Sequence, residues 1–317
     1  MINMKKQRAA LIAAAAGVCV FTTAAFANYS TSNGYDSLKK SLWGVMESKN
    51  FTADFNVAMR FDGNDEDSMQ SHYEFDADGK KSYSKNSGVN SNGSEYGYER
   101  WEDASKSVSA QEDGTYLVFD NTDSNGFGSM LEGFGGNEES GRKVFRFLEL
   151  CADTVIGDLR NNVNYIGEED GKPKYNVSLT SVQIPEIINT GLSAMVAVSN
   201  ANVEYVNEDG TEDLDAVMNT AVDAYVDSIN GEFSLNDDGT FNKGTLKVAF
   251  VATDRSGAEH TLEFECGAAF SNYGTTDPQI IDLSQIDSSK VEYVNYEDTE
   301  YTVDDGETVE INVQEAQ

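Results

Sequence analysis

The stretch Ile229–Gly274, INGEFSLNDDGTFNKGTLKVAFVATDRSGAEHTLEFECGAAFSNYG, decides the fold. Within Thr245–Thr253, Leu246, Val248, Phe250 and Ala252 alternate with Thr245, Lys247, Ala249, Val251 and Thr253. Within Thr261–Phe270, Leu262, Phe264, Cys266, Ala268 and Phe270 alternate with Thr261, Glu263, Glu265, Gly267 and Ala269. A period of two puts each set on one side of a sheet. One side is apolar and the other polar, the pattern of an antiparallel sheet with one solvated face. Asp238-Gly239 and Arg255-Ser256-Gly257 are the joints, Asp-Gly being suited to a hairpin whose two central residues take positive φ. The stretch therefore reads as three antiparallel strands, and their apolar face needs a cover.

The 317 residues suffice for one large domain or two small ones. The formal charge is −33. Residues 1–27 carry Lys5, Lys6 and Arg8 and no acid, so the remainder stands near −36 (−33 minus 3). Such a surface repels phosphate backbones and anionic lipid, which excludes nucleic acid as a partner. A basic Met4–Arg8, an apolar Ala9–Phe21 and the small-x-small Ala25-Phe26-Ala27 read as a secretory signal peptide cleaved after Ala27. Ala16-Gly17-Val18 before Cys19 fits a lipidation signal poorly. No later apolar run approaches the roughly 18–20 residues that span a bilayer, so no transmembrane segment is expected in the mature chain. The expected location is the cell envelope or the exterior.

Outward from the three strands, Tyr35–Ser48 reads as an amphipathic helix through Leu38, Leu42, Val45 and Met46. Strand-like runs follow at Phe51–Phe61, Met69–Asp76, Lys80–Asn86, Glu95–Glu102, Ser105–Gln111 and Thr115–Phe119, most of them separated by Asp-Gly or Asn-Gly turns. Asn121–Gly141 is a polar, glycine-rich connection. Arg142–Asn162 reads as a helix with the stripe Val144, Leu148, Cys151, Val155 and Leu159. A hairpin about Asp170-Gly171 joins Val163–Gly167 to Pro173–Val182. Two helices are expected next, Glu186–Ser199 behind Pro185 and Leu214–Ser228. The boundaries drawn are a leader over 1–27, one domain over 28–286 and an acidic tail over 287–317. Ser289–Gln317 holds nine acids and one base, with strand alternation at Val291–Val294 and Val309–Val313. It reads as a loosely attached hairpin or a tail without a packed core. The fold class is α+β, an antiparallel sheet of about eleven strands with helices available to cover one face.

That element order resembles the lipoprotein-carrier half-barrel superfamily, which includes LolA-like, RseB-like and LppX-like proteins. The resemblance implies a curved antiparallel half-barrel with helices packed on its concave face and, in some members, an acyl chain between the two layers. The start Asn28–Tyr35, the segment Ile184–Leu192 and the closing Ser271–Pro278 with Ile281-Asp282-Leu283 are similar to exported clostridial-type proteins with no assigned activity. These motifs carry no chemistry, so no catalytic residue transfers.

The sequence supplies no catalytic constellation of its own. Gly126-Phe127-Gly128-Ser129-Met130 lacks the Gly-x-Ser-x-Gly elbow. Ser-x-x-Lys at Ser37–Lys40 and Ser82–Lys85 is a chance spacing in a chain of this length. His72 and His260 are far apart, read as surface histidines, and show no ligand spacing with Cys151 and Cys266, so neither a metal nor a cofactor is expected. Export permits a disulfide between these two cysteines, and each also falls where a thiol serves as a small buried apolar group; both readings stand. Asp62–Tyr73 lacks the glycine and the closing glutamate of a calcium loop, with Asp67 and Tyr73 in their places. Carboxylates are so many that no pair stands out as a glycosidase dyad.

The expectation is thus an exported protein that is not an enzyme. It binds a lipid or amphiphile, or senses the state of the envelope, through an apolar cavity between sheet and helices. Phe147, Leu148, Phe250, Phe264 and Phe270 are the residues expected to line that cavity. The alternative is a structural or protein-interaction module with a filled interior that meets a partner protein in the envelope. A third reading is a hydrolase assembled from scattered carboxylates.

Overall fold

The computed structural model describes residues 37–120, 162–193 and 221–294, apart from positions 39, 43, 46, 47, 91, 92, 112, 185, 187, 188 and 191. The leader, the glycine-rich connection, the helix expected over 142–162 up to residue 161, the helix expected over 186–199 beyond residue 193, and the run Val309–Val313 lie outside those residues.

Twelve strands form one open sheet. They are β1 (Asn50–Phe61), β2 (Asn64–Asp76), β3 (Lys81–Val89), β4 (Glu95–Glu102), β5 (Lys106–Ala110), β6 (Tyr116–Asp120), β7 (Val163–Glu169), β8 (Lys172–Thr180), β9 (Asp223–Leu235), β10 (Phe241–Thr253), β11 (Glu259–Ser271) and β12 (Val291–Val294). The spatial order is β12-β6-β5-β4-β3-β2-β1-β11-β10-β9-β8-β7, so the sheet ends on two edges and does not close. Every neighbouring pair is antiparallel except β12, which runs parallel to β6. The sheet is thus one strand larger than expected, and the extra strand comes from the start of the acidic stretch. Helical residues between 37 and 45 fall within the first expected helix, and others between 186 and 193 fall within the third.

The helix expected over Leu214–Ser228 is overturned from Asp223 onward, where β9 begins. Ala224 and Val226 alternate inward, then the register with β10 shifts between Ala249 and Phe250, so the next inward residue is Ile229. That bulge imitates a helical spacing in the sequence. Pairing with β10 satisfies the backbone, and Val226 is fully buried.

The turns vary more than their sequences do. Asp62-Gly63 and Asp170-Gly171 both have positive φ at each residue, as a two-residue hairpin of this kind requires. At Asp238-Gly239 only the glycine does, at +83°. There the Gly239 N–H donates to the Asn236 carbonyl at 2.8 Å and the Asn236 N–H to the Thr240 carbonyl at 2.9 Å, a three-residue loop closed by a left-handed glycine. The same two hydrogen bonds recur at 90–94, 111–115 and 254–258.

One face of β1, β2 and β8–β11 carries the main core. Phe51, Ala53, Met59, Val177, Leu179, Val248, Phe250, Leu262, Phe264 and Phe270 all belong to it. Leu38 and Val45 from the first helical segment join the same cluster, as does Ile184, and Leu192 packs against it. Burying a side chain the size of Phe264 contributes about 1.5–3 kcal/mol.

The burial pattern changes at β3. Tyr83, Val108 and Val118 are buried on the opposite face of the sheet, with Val108 at 1% and Val118 at 2% exposure. Tyr83 stacks towards Trp101 at 5.7 Å, and Trp101 towards Tyr116 at 6.4 Å. What reaches this face is the chain between β11 and β12, residues 272–290, which must pass six strands to pair with β6. Its route is pinned in sequence. Thr276 N–H donates to Asn50 Oδ1 at 2.7 Å, Lys81 Nζ to Asp277 at 3.2 Å and Gln279 N–H to Glu74 Oε2 at 2.9 Å. Farther on, hydrogen bonds from Ser284 and, to a lesser degree, the charge of Lys106 lower the Asp282 pKa, and hydrogen bonds from Thr115 with a smaller contribution from Lys290 lower that of Asp113. Residues 272–290 therefore form a strap over a second, smaller core. Among the described residues no helix is long and apolar enough to cross a membrane.

Candidate binding groove

On the face opposite the main core, β10, β11, β1, β2 and β3 present mostly polar side chains, interrupted by positions such as Ala269 and Gly267. Two cross-strand rows follow from the register. The first is Lys243, Ala269, Asp54, His72 and Lys85, each opposite the next. The second, two residues along, is Thr245, Gly267, Asn56, Gln70 and Ser87. Together they line a groove of about 640 Å³ that runs across the strands. That volume is in the range of small-molecule sites.

Gly267 gives the groove its floor. The Asn56 carboxamide lies over it, and a Cβ there would collide with Asn56 Oδ1. With glycine opposite it on β11, the Asn56 side chain can lie flat against the sheet; a side chain at 267 would turn it away.

The two rows differ in how far their polar groups are already engaged. In the first, Lys243 Nζ binds Glu169 at 2.8 Å, Lys85 Nζ binds Glu99 at 2.7 Å, and His72 Nδ1 lies 2.7 Å from Asp54 Oδ1. The other ring nitrogen, His72 Nε2, lies 3.4 Å from Glu74 Oε1. Partial burial works against the imidazolium, but the hydrogen bonds to Asp54 and Glu74 outweigh it and raise the His72 pKa. The hydrogen bond from Lys243 lowers the pKa of Glu169. In the second row, the side chains of Thr245, Asn56, Gln70 and Ser87 are exposed and make no hydrogen bond with the described residues.

His72 is not placed as a relay base for a nucleophile. A relay histidine needs one nitrogen free to accept a proton from a nucleophile. Both nitrogens of His72 face carboxylates instead. Ser71, its neighbour on β2, points to the other face and donates to Asn86 at 2.5 Å.

The second histidine corrects the expectation of a surface residue. His260 is 7% exposed at the start of β11 and stacks on Phe61 with ring centroids 5.5 Å apart. Its Nδ1 lies 2.9 Å from Asp62 Oδ2, and its Nε2 lies 4.0 Å from Asp254 Oδ2 with no hydrogen-bond partner. Hydrogen bonds from Ser256 and the Ala258 N–H lower the Asp254 pKa although burial opposes them. The cluster ties the β1–β2 turn to the β10–β11 turn. Among the described residues no group of three or more His, Cys, Asp or Glu side chains is placed to hold a metal ion.

Of the residues expected to line an apolar cavity, Phe250, Phe264 and Phe270 all belong to the main core, Phe270 at a different place along β11 from the Phe250–Phe264 pair. Phe250 and Phe264 meet edge to face at 5.8 Å, and Phe270 packs against Phe51 at 5.6 Å and Phe241 at 5.9 Å. Phe147 and Leu148 lie outside the described residues. Cys266 is half-buried beside this core, and Cys151 also lies outside the described residues. The groove residues went unnoticed in the sequence because they are the ordinary polar positions of alternating strands. The one legible hint was Gly267 in the middle of a strand, which marks a close approach.

No known protein family model matches the chain, and no curated protein is similar to it.

Proposed function

We propose that this chain is an exported, non-catalytic binding module whose apolar face is filled core and whose ligand is met on the open polar face. The observation that carries this reading is the groove of about 640 Å³ crossing five strands opposite the main core, while Phe250 and Phe264 pack on each other and Phe270 packs on Phe51 and Phe241. Export rests on the basic, apolar and small-x-small segments of residues 1–27. The half-barrel relationship belongs to the same proposal, supported by Leu38 and Val45 of the first helical segment packing into the sheet's core. This choice places the filled module ahead of the amphiphile carrier, because rings in mutual contact leave no room between them for an acyl chain.

The test is native mass spectrometry of residues 28–317, purified gently and measured before and after solvent extraction. A mass equal to the bare chain in both runs, with no gain from added lipid mixtures, supports the filled module. A stoichiometric amphiphile lost on extraction overturns it in favour of carriage between sheet and helices.

A further inference from the structure

We infer that the groove takes a neutral, hydroxyl-rich chain, an uncharged glycan laid across the strands; this rests on the groove being the binding face. Three ligand classes fail on charge and desolvation. A polyanion approaches a body of formal charge −33 against a repulsive field. Its anionic groups would also find Lys243 and Lys85 already bound to Glu169 and Glu99. A cationic ligand finds a single carboxylate in the groove lining, Asp54, and that one is already paired with His72. An apolar ligand strips water from Thr245, Asn56, Gln70 and Ser87 and gives nothing back, which leaves buried donors and acceptors unsatisfied.

What remains is an uncharged ligand rich in both donors and acceptors. The second row offers a hydroxyl, two carboxamides and a hydroxyl in succession, on adjacent or next-adjacent strands. Each carboxamide presents two N–H donors and a carbonyl acceptor, and each hydroxyl does both. Neighbouring hydroxyls on a sugar ring have the same dual character. Adjacent strands stand about 4.8 Å apart, so the row repeats at about the length of one sugar ring. A peptide fits less well, because an extended peptide seeks the unpaired backbone of a sheet edge, and this row lies mid-sheet and crosses the strands.

The experiment is affinity electrophoresis and calorimetry on residues 28–317 with three uncharged polysaccharides: mixed-linkage β-glucan, galactomannan and arabinoxylan. Polygalacturonate, a random peptide library and phosphatidylglycerol vesicles form the other arms. The double variant Asn56→Ala/Gln70→Ala is run beside the parent. Both side chains are exposed and unbonded to described residues, so folding is retained, and circular dichroism checks this. Binding of at least one uncharged polysaccharide, weakened about tenfold or more in the double variant, is the expected result. Binding of polygalacturonate, a peptide or vesicles alone, weakened by the same variant, overturns the ligand class and leaves the groove as the binding face. Binding of a glycan that the variant does not weaken overturns the inference, since the site then lies elsewhere. No binding in any arm overturns both the inference and the reading beneath it.

Discussion

The sheet packs its apolar side chains on one face in β1, β2 and β8–β11 and on the opposite face in β3–β6, and the two regions solve the same problem with different means. In the first, rings and branched chains from many strands meet one another and the helical segments. In the second, a strap of single chain crosses the face that buries Tyr83, Val108 and Val118, held by Asn50, Glu74 and Lys81. The first is stabilised by dense packing of large side chains, the second by a thin cover that polar anchors locate. The difference shows that a strand's apolar face need not be the same face throughout one sheet. It also shows why the groove lies where it does: it occupies the polar back of the first region, just before the strap begins to cross.

That contrast breaks or holds under substitution. Phe264→Ala removes a ring that is 2% exposed from the main core and is expected to cost about 3–5 kcal/mol, read from the urea midpoint. A loss near zero with full folding would contradict the placing of that face. Val118→Ala, under the strap, is expected to cost less, about 1–3 kcal/mol. The same variant should raise amide exchange in residues 276–290 while leaving β9–β11 protected, and equal loosening of both regions would show that the two cores are one.

The third comparison concerns pH. His72 has a raised pKa in the folded chain, so its clamp on Asp54 and Glu74 stabilises fully below the ordinary imidazole value of about 6.5. The contribution is lost as pH rises through the raised folded value. With His72 about a third exposed, the effect is expected to stay under about 1 kcal/mol. Stability of the parent relative to His72→Gln, followed from pH 5 to 9, should fall as pH rises; a flat difference would mean that the carboxylates do not hold the imidazolium. Because Glu74 also accepts from Gln279, loosening of the strap should follow the same titration. The smallest effect belongs to the groove itself. Gln70→Ala should change stability by no more than about 0.5 kcal/mol, and a larger loss would mean that the residue has a structural partner.

Much of this was legible from residue order. The alternation in β10 and β11 matches the buried set Leu246, Val248, Phe250, Ala252, Leu262, Phe264 and Phe270. Glu95–Glu102 and its neighbours fall where the turn signals set them. The failures have physical causes. Asp223–Ser228 looked helical because a bulge breaks its alternation, and only pairing with β10 reveals the strand. His260 looked exposed because a polar residue beside a turn usually is; about 200 positions earlier, Phe61 stacks on its ring and Asp62 partners its Nδ1.

Residue order alone located most of the strands, their alternation and the positions of the turns between them. These depend on side-chain period and on residues that tolerate positive φ, both local properties. Tertiary structure alone decided the parallel place of Val291–Val294 at the edge of β6, the route of the strap over the second core, and the meeting of Asn56, Gln70 and Ser87 with Thr245 and Gly267 in one groove. Each of those depends on which strand lies beside which, and the free energy that sets strand order comes from burial and pairing between residues far apart in the chain.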